Sequence, residues 1–441
     1  MGEEAATSEV INQLVGTLGD EDTYVRNSAC DALGDMGEKA ATSEVINRLV
    51  SALGDENSDV RSGACYALGK VGEKAATSEV INRLVSALDD EGSNVRNSAC
   101  YVLGKMGEKA ATNEVINRLV SALGDENSDV RSGACYALGK MGEKAATNEV
   151  INRLVSALDD ENSDVRNGAC NAIGKIAEKA ATNEVINRLV SAPDDENSDV
   201  RGGACYALDK MGEKAATSEV INRLVSALDD EGSDVRISAC HALGQMGEKA
   251  ATTEVINRLV SALDDPDSDV RSSACYYLGK MGEKAATSEV INQLVRALDD
   301  ENFSVRNSAC MALDDIGKKA ATNEVINRLV SVLGDEYSYV RYSACHALGK
   351  MGEKAATSEV INRLVSALDD EGSNVRNSAC YVLGKMGEKA ATSEVINRLV
   401  SALDDPDSDV RRSACYALVQ MGEKAAMSEV IDRLVSALKH D

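Results

Sequence analysis

The chain repeats itself every 35 residues, and that period constrains its fold more than any other feature. Residues 43 to 72 read SEVINRLVSALGDENSDVRSGACYALGKVG, and with Glu73 to Thr77 they form a unit that recurs in register along all 441 residues. Arg61 reappears as Arg26, Arg96 and Arg131 and so on to Arg411, and Cys65 recurs with the same spacing from Cys30 to Cys415. A fixed period of roughly 20 to 50 residues marks a stacked repeat protein, in which no unit can bury its apolar face alone. The spacing divides a single array, 1–441, into units at about 1–37, 38–72, 73–107, 108–142, 143–177, 178–212, 213–247, 248–282, 283–317, 318–352, 353–387 and 388–422, with a half unit at 423–441. Within these residues no separate catalytic domain is expected. Met1-Gly2-Glu3 matches Met36-Gly37-Glu38, so the sequence is expected to open in mid-array.

Each unit reads as two helices. Ser43 holds a position occupied only by Ser, Asn or Thr in the other copies, which reads as an N-cap. Glu44 follows in the first turn, where a carboxylate suits the helix dipole, and Arg48 stands four residues on in the favourable order. Val45, Ile46, Leu49, Val50 and Leu53 keep helical spacing and form one buried stripe. A turn through Gly54-Asp55-Glu56-Asn57 leads to a second helix beginning near Asn57 or Ser58. Its stripe is Val60, Ala64, Ala67, Leu68 and Val71, and Gly72 is placed to end it in the left-handed region. Period-two alternation is absent, so almost no strand is expected.

The turn and second helix, Asp55-x(4)-Val60-Arg61-x-x-Ala64-x-x-x-Leu68-Gly69-x-x-Gly72, resemble the HEAT-repeat family, most closely its short phycobilisome-lyase-like (EZ-type) repeats. The resemblance covers essentially the whole chain. It implies an all-α fold, a right-handed α-solenoid of about twelve and a half two-helix repeats. It also implies a polar ladder between neighbouring repeats, carried over here to Asp55 and Arg61, Asp90 and Arg96, and Asp125 and Arg131. The segment Glu73 to Thr77 departs from the family pattern as about four extra residues between helices. Tetratricopeptide and ankyrin arrays have similar periods, but their aromatic and Thr-Pro-Leu-His signatures are missing.

The 73 acidic against 47 basic side chains leave a net charge of −26, concentrated in the turns. Such a surface argues against a nucleic-acid partner and favours solubility or a basic protein partner. No apolar run is long enough for a membrane span and no leader is visible. The twelve cysteines share one place in the unit and contain no Cys-x-x-Cys, so they read as small buried apolar residues of a reducing, cytoplasmic protein. Neighbouring helices about 8 to 10 Å apart would keep adjacent copies from bridging.

Chemistry finds little support in the residues. Asp55-x-Asn57-x-Asp59 imitates the start of a calcium loop, but Val60 takes the glycine place and Tyr66 the glutamate place. Iron-dependent hydroxylases built on short HEAT repeats rely on His-Glu pairs, whereas none of His241, His346 and His440 precedes a glutamate. No catalytic residues, cofactor or metal are expected.

Departures from the consensus carry more information. The first repeat has Gln13, Gly16, Thr17, Tyr24, Asp31 and Asp35 at places held mostly by other types elsewhere. Pro193 should weaken the first helix of its repeat, and Asp209 replaces a packing glycine. Residues 73–112 recur unchanged as 353–392, which reads as duplication of a block.

The second helix varies most at positions 59, 62, 66 and 70, on the face opposite its apolar stripe. Position 66 would present a column of Tyr66, Tyr101, Tyr136, Tyr206, Tyr276, Tyr381 and Tyr416, interrupted by Asp31, Asn171, His241, Met311 and His346. Tyrosine is well suited to rigid amphipathic contact, so this column is a candidate protein-binding surface, though a freely drifting exposed face would read the same way. Tyr339, Tyr342 and His346, at i, i+3 and i+7, form a sharper candidate. The expectation is a non-enzymatic scaffold binding a protein or peptide along a concave second-helix wall. The alternatives are a segment of a larger regulatory protein, an engineered repeat scaffold and an enzyme of the bilin-lyase-like class.

Overall fold

The computed structural model describes residues 8–425, all of them in helices and the turns between them, with no strand among the described residues. The expectations for Met1-Gly2-Glu3 and for Asp432, Lys439, His440 and Asp441 lie outside that range. The chain falls into two compact bodies that divide between Ala227 and Leu228. Each is a succession of the same two-helix repeat.

In the repeat at 38–72 the first helix runs Ser43–Ala52 and buries Val45, Ile46, Leu49, Val50 and Ala52. Its cap is Thr42 rather than Ser43. Thr42 is extended at φ −96° and ψ 156°, and its hydroxyl accepts the Val45 amide at 3.2 Å, whereas Ser43 already lies inside the helix. The threonines at 77, 112, 147 and 182 do the same in their repeats. An N-cap must be non-helical so that its oxygen can turn back onto the third amide, and the residue before the Ser/Asn position meets that requirement. The second helix, Ser58–Val71, starts on Asn57, whose side chain accepts the Asp59 and Val60 amides at 2.8 and 3.4 Å. It ends at Gly72, where φ is +85°.

The residues read as an inserted linker are instead an ordered part of the repeat. Gly72–Ala75 forms a 3₁₀ turn, and Ala75 is fully buried beneath it. The repeat at 143–177 shows why glycine begins this turn. Ala177 stands there, no non-glycine residue in the described chain adopts positive φ, and the segment winds into a short α-helix, Ala177–Ala180. Alanine in the left-handed region would cost roughly 1 kcal/mol, so the backbone takes another course.

Second helices of successive repeats pack against each other more extensively than first helices do. Their facing side chains are Ala, Cys and Gly, small enough for close approach. The cysteines are buried, Cys415 less completely than the rest, and burial pushes the Cys65 thiol up to about 12. That makes it a packing residue rather than a nucleophile. At 178–212 Pro193 shortens the first helix to Asn183–Leu189, and the chain continues through a 3₁₀ turn, Ala192–Asp194. No helix of the described residues is long and apolar enough to cross a membrane.

Candidate interaction surface

Two sets of side chains recur across the joints between repeats, and the first lies at the turns. Arg61 donates through Nε and Nη2 to both carboxylate oxygens of Asp90, each at 2.7 Å, one repeat ahead. Its Nη1 donates to the carbonyls of Asp55 and Glu56 at 3.0 and 3.1 Å. The same geometry joins Arg26 to Asp55, Arg96 to Asp125 and Arg131 to Asp160. Each aspartate also accepts an amide of its own turn, as Asp55 does from Asn57 at 2.9 Å. The Arg26 guanidinium holds Asp55 below the usual carboxylate range, although burial opposes it. At Asp90 burial pushes upward most strongly, and the Arg61 and Gly92 hydrogen bonds together outweigh it. Arg61 and Asp90 are 9% and 13% exposed, so the bidentate contact is shielded and couples adjacent repeats. Asp55 and Asn57, which imitate a calcium loop in sequence, are thus occupied by an arginine and a helix cap.

An outer row of pairs is more exposed. Arg118 meets Asp89, Arg188 meets Asp159, Arg258 meets Asp229 and Arg398 meets Asp369, always a first-helix arginine against the preceding turn. Solvent screening makes these weak contributors.

The second set is the aromatic column on the second helices. Tyr66, Tyr101 and Tyr136 stack with centroids 6.4 and 5.6 Å apart. A lysine four residues later stands over each ring, Lys70 at 5.2 Å, Lys105 at 5.4 Å and Lys140 at 5.5 Å. The Tyr66 hydroxyl holds Lys70 above its ordinary value. Tyr136 lies in the space left by Gly104 of the preceding repeat, where an added Cβ would approach its ring to 2.8 Å. The rings are therefore half seated between repeats. Tyr66 remains 39% exposed and Tyr381 38%, while the other column tyrosines are half-buried.

In the second body the column changes character. His241 lies 4.8 Å from Tyr277, which is buried and meets Tyr276 edge-on at 5.0 Å. Met311 is half-buried, and Asn307 Nδ2 approaches its sulfur at 3.6 Å. Tyr342 and His346 come together at 4.7 Å, and His346, Tyr381 and Tyr416 continue the stack at 6.4 and 5.5 Å. Tyr339 is 68% exposed, and among the described residues no ring contact joins it to Tyr342. Phe303 and Tyr337 stack separately at 4.6 Å, with Arg306 over Tyr337.

The structure adds side chains to this surface that the sequence alone does not single out. The lysines follow the tyrosines at i+4 in copy after copy, so that signal was available; that each ammonium covers a ring was not. Asp314 is a further such residue. It replaces the packing glycine, one of its carboxylate oxygens has no hydrogen-bond partner, and burial raises its pKa against the opposing Lys350 and His346. It borders a cavity of about 200 Å³ with Met311, Tyr342 and His346. In the first body a larger groove of about 690 Å³ runs over the second helices from Tyr66 to Lys175. Among the described residues no three His, Cys, Asp or Glu side chains gather as a metal centre would need.

The repeating arginine–aspartate joints and paired helices agree with a comparison by sequence family. The model of HEAT repeats matches overlapping spans that run from 11–81 to 361–441. The chain belongs to the HEAT-repeat family. No curated protein matches it significantly. Among solved structures it is similar to importin beta, with a TM-score of 0.69 at 15% identity, covering 98% of this chain and 65% of that one. It is also similar to Kap95p, whose binding induces the switch loops of RanGDP to adopt the GTP-bound conformation, with a TM-score of 0.57 at 16% identity over 97% and 62%. Kap95 in its complex with Nup1 gives 0.58 at 16% over 98% and 63%. This HEAT array spans less than two thirds of those chains, and at such identities the likeness is one of fold, an α-solenoid.

Proposed function

We propose that this HEAT array is a non-enzymatic scaffold that binds a protein or peptide along its second-helix face. The observation that carries the reading is the lysine-covered tyrosine column. It offers rigid, half-exposed rings at regular intervals on helices whose backbone is locked by cross-repeat arginine–aspartate pairs. Along the same face Asp59, Asp129 and Asp164 stand at the start of the second helices, and Lys70, Lys140 and Lys175 near their ends. The acidic edge suits a basic partner segment, and the lysine edge asks that partner for acidic or aromatic groups as well. Kap95, which binds RanGDP and forms a complex with Nup1, supplies a precedent in fold for a protein-binding solenoid.

The test is capture of partners from a cell extract by the wild-type chain and by two variants, Tyr66→Ser with Tyr101→Ser, and Tyr339→Ala with Tyr342→Ala. Circular dichroism establishes that each remains folded. A loss of at least about tenfold in the affinity of a captured partner supports the reading, as expected for aromatic hot spots. Affinities within about twofold of wild type for both variants overturn it.

A further inference from the structure

Between Tyr66 and Tyr206 the tyrosine column of the first body is broken at one place, Asn171. Its amide nitrogen donates to Oδ1 and to the backbone oxygen of Asn167, at 2.8 and 3.1 Å, so this short side chain is tied down to its own helix. Tyr136 therefore stacks on Tyr101 from one side and meets no ring from the next repeat. Tyr206 resumes the column one repeat later. The lysines record the same gap. Lys140 stands over the ring four residues before it, but Lys175, with Asn171 in that place, stands over Tyr206 at 5.5 Å. Tyr206 thus carries two ammonium groups, since its own Lys210 lies at 5.1 Å.

The gap opens into the 690 Å³ groove, a volume within the roughly 300–1,000 Å³ of ligand pockets. Gly133 and Gly168 are part of its lining, and Asp129 and Asp164 lie along one margin while Lys140 and Lys175 lie along the other.

We propose that the gap at Asn171 is an anchor pocket for one aromatic side chain of a partner peptide, inserted against Tyr136 where the groove passes Asn171 and Lys175, with a neighbouring basic residue against Asp129 and Asp164. This rests on the second-helix face being the contact surface. A ring there gains an offset stack on Tyr136, and Lys175 can return to cover it, which separates the two ammonium groups on Tyr206. A cationic side chain in the same place would face Lys140 and Lys175. An aliphatic one would bury area but offer no face to either ring or lysine. The acidic margin then selects the charge of the flanking residue.

The chain contains no tryptophan, so a tryptophan peptide excited to the red of tyrosine absorption reports binding selectively. The probe is acetyl-Trp-Arg-Arg-amide, titrated by fluorescence anisotropy. Wild type should give saturable binding with a blue-shifted emission. Asn171→Tyr, which installs the ring found in the flanking repeats, should weaken binding at least about tenfold, and Asn171→Ala should stay within about twofold. Asp129→Asn with Asp164→Asn should weaken it about threefold and flatten its salt dependence. Absence of binding to wild type, or equal binding to Asn171→Tyr, overturns the anchor pocket. If Asn171→Tyr has no effect but Tyr66→Ser with Tyr101→Ser reduces affinity, the pocket fails and the second-helix face stands. If none of these variants reduces it, the pocket fails, and the second-helix face fails with it only when both tyrosine pairs also leave the affinity of a captured partner unchanged.

Discussion

The repeats at 108–142 and 178–212 follow one plan with very different local quality. In the first, a ten-residue helix, Asn113–Ala122, precedes a fourteen-residue one, Ser128–Met141. In the second, Pro193 cuts the first helix to seven residues, Gly202 and Gly203 stand side by side in the second, and Asp209 is buried with one carboxylate oxygen unpartnered. Yet the second helix of that repeat, Ser198–Met211, keeps its full fourteen residues and its cap on Asn197. Arg166 still reaches across to Asp195 at 2.7 Å. What the weaker repeat retains is the set of contacts to its neighbour. Interfaces between repeats, rather than the intrinsic quality of each hairpin, therefore maintain the stack, as expected when stability is a sum of weak units and strong joints.

The largest effect should come from breaking a joint in the strong repeat. Asp160→Ala leaves Arg131, 11% exposed, without its bidentate partner and should cost about 3 kcal/mol, read as lost amide protection in 108–177 by hydrogen exchange. Unchanged protection would mean that hairpin quality matters more than the joints. Pro193→Leu should next restore the final turn of the first helix and stabilise 178–212 by about 1 to 2 kcal/mol, narrowing the difference between the two repeats. A neutral or negative effect would show that the 3₁₀ turn at 192–194 is already the better-packed arrangement. A smaller loss, about 1 kcal/mol, is expected from Gly142→Ala. Its φ is +58° and an added Cβ would meet nothing within 4 Å, so strain alone is measured.

Acid should act on the joints collectively. Asp55, Asp90, Asp125, Asp160 and Asp195 all have lowered pKa values in the folded chain. Their stabilisation is complete above the unfolded aspartate value of about 3.9 and is lost as pH falls through the depressed values. Thermal melts of wild type should fall steeply in that window. Asp314 has the opposite sign. Burial raises it, so its contribution is favourable at low pH and is lost as pH rises through the raised value. Asp314→Asn should accordingly raise the melting temperature at pH 7 by a few degrees and leave it unchanged near pH 3. An equal gain at both would remove ionisation as the cause.

Much was legible without coordinates because it depends on short stretches of chain. The spacing of Val45, Ile46, Leu49 and Val50 predicts the buried stripe, although Leu53, expected to continue it, lies past the helix end and is half-buried; Gly72 predicts the left-handed stop, and Asn57 and Ser58 together the start of the second helix. The error at Ser43 has a physical origin. Thr42 and Ser43 are both hydroxyl residues, and only the backbone angles show which one lies outside the helix. The Glu73–Thr77 segment reads as an insertion in sequence because its 3₁₀ turn is held by burial of Ala75 against other helices, which no local pattern reveals.

A period of 35 residues with one apolar stripe per helix is enough to require a stack of hairpins, since water penalises every uncovered stripe alike. Tertiary structure alone decided that Tyr136 rests in the space left by Gly104, that Lys175 reaches Tyr206, and that Asn171 leaves a groove where a ring would otherwise lie. Those contacts depend on the rotation and rise from one repeat to the next, a quantity that no single repeat contains.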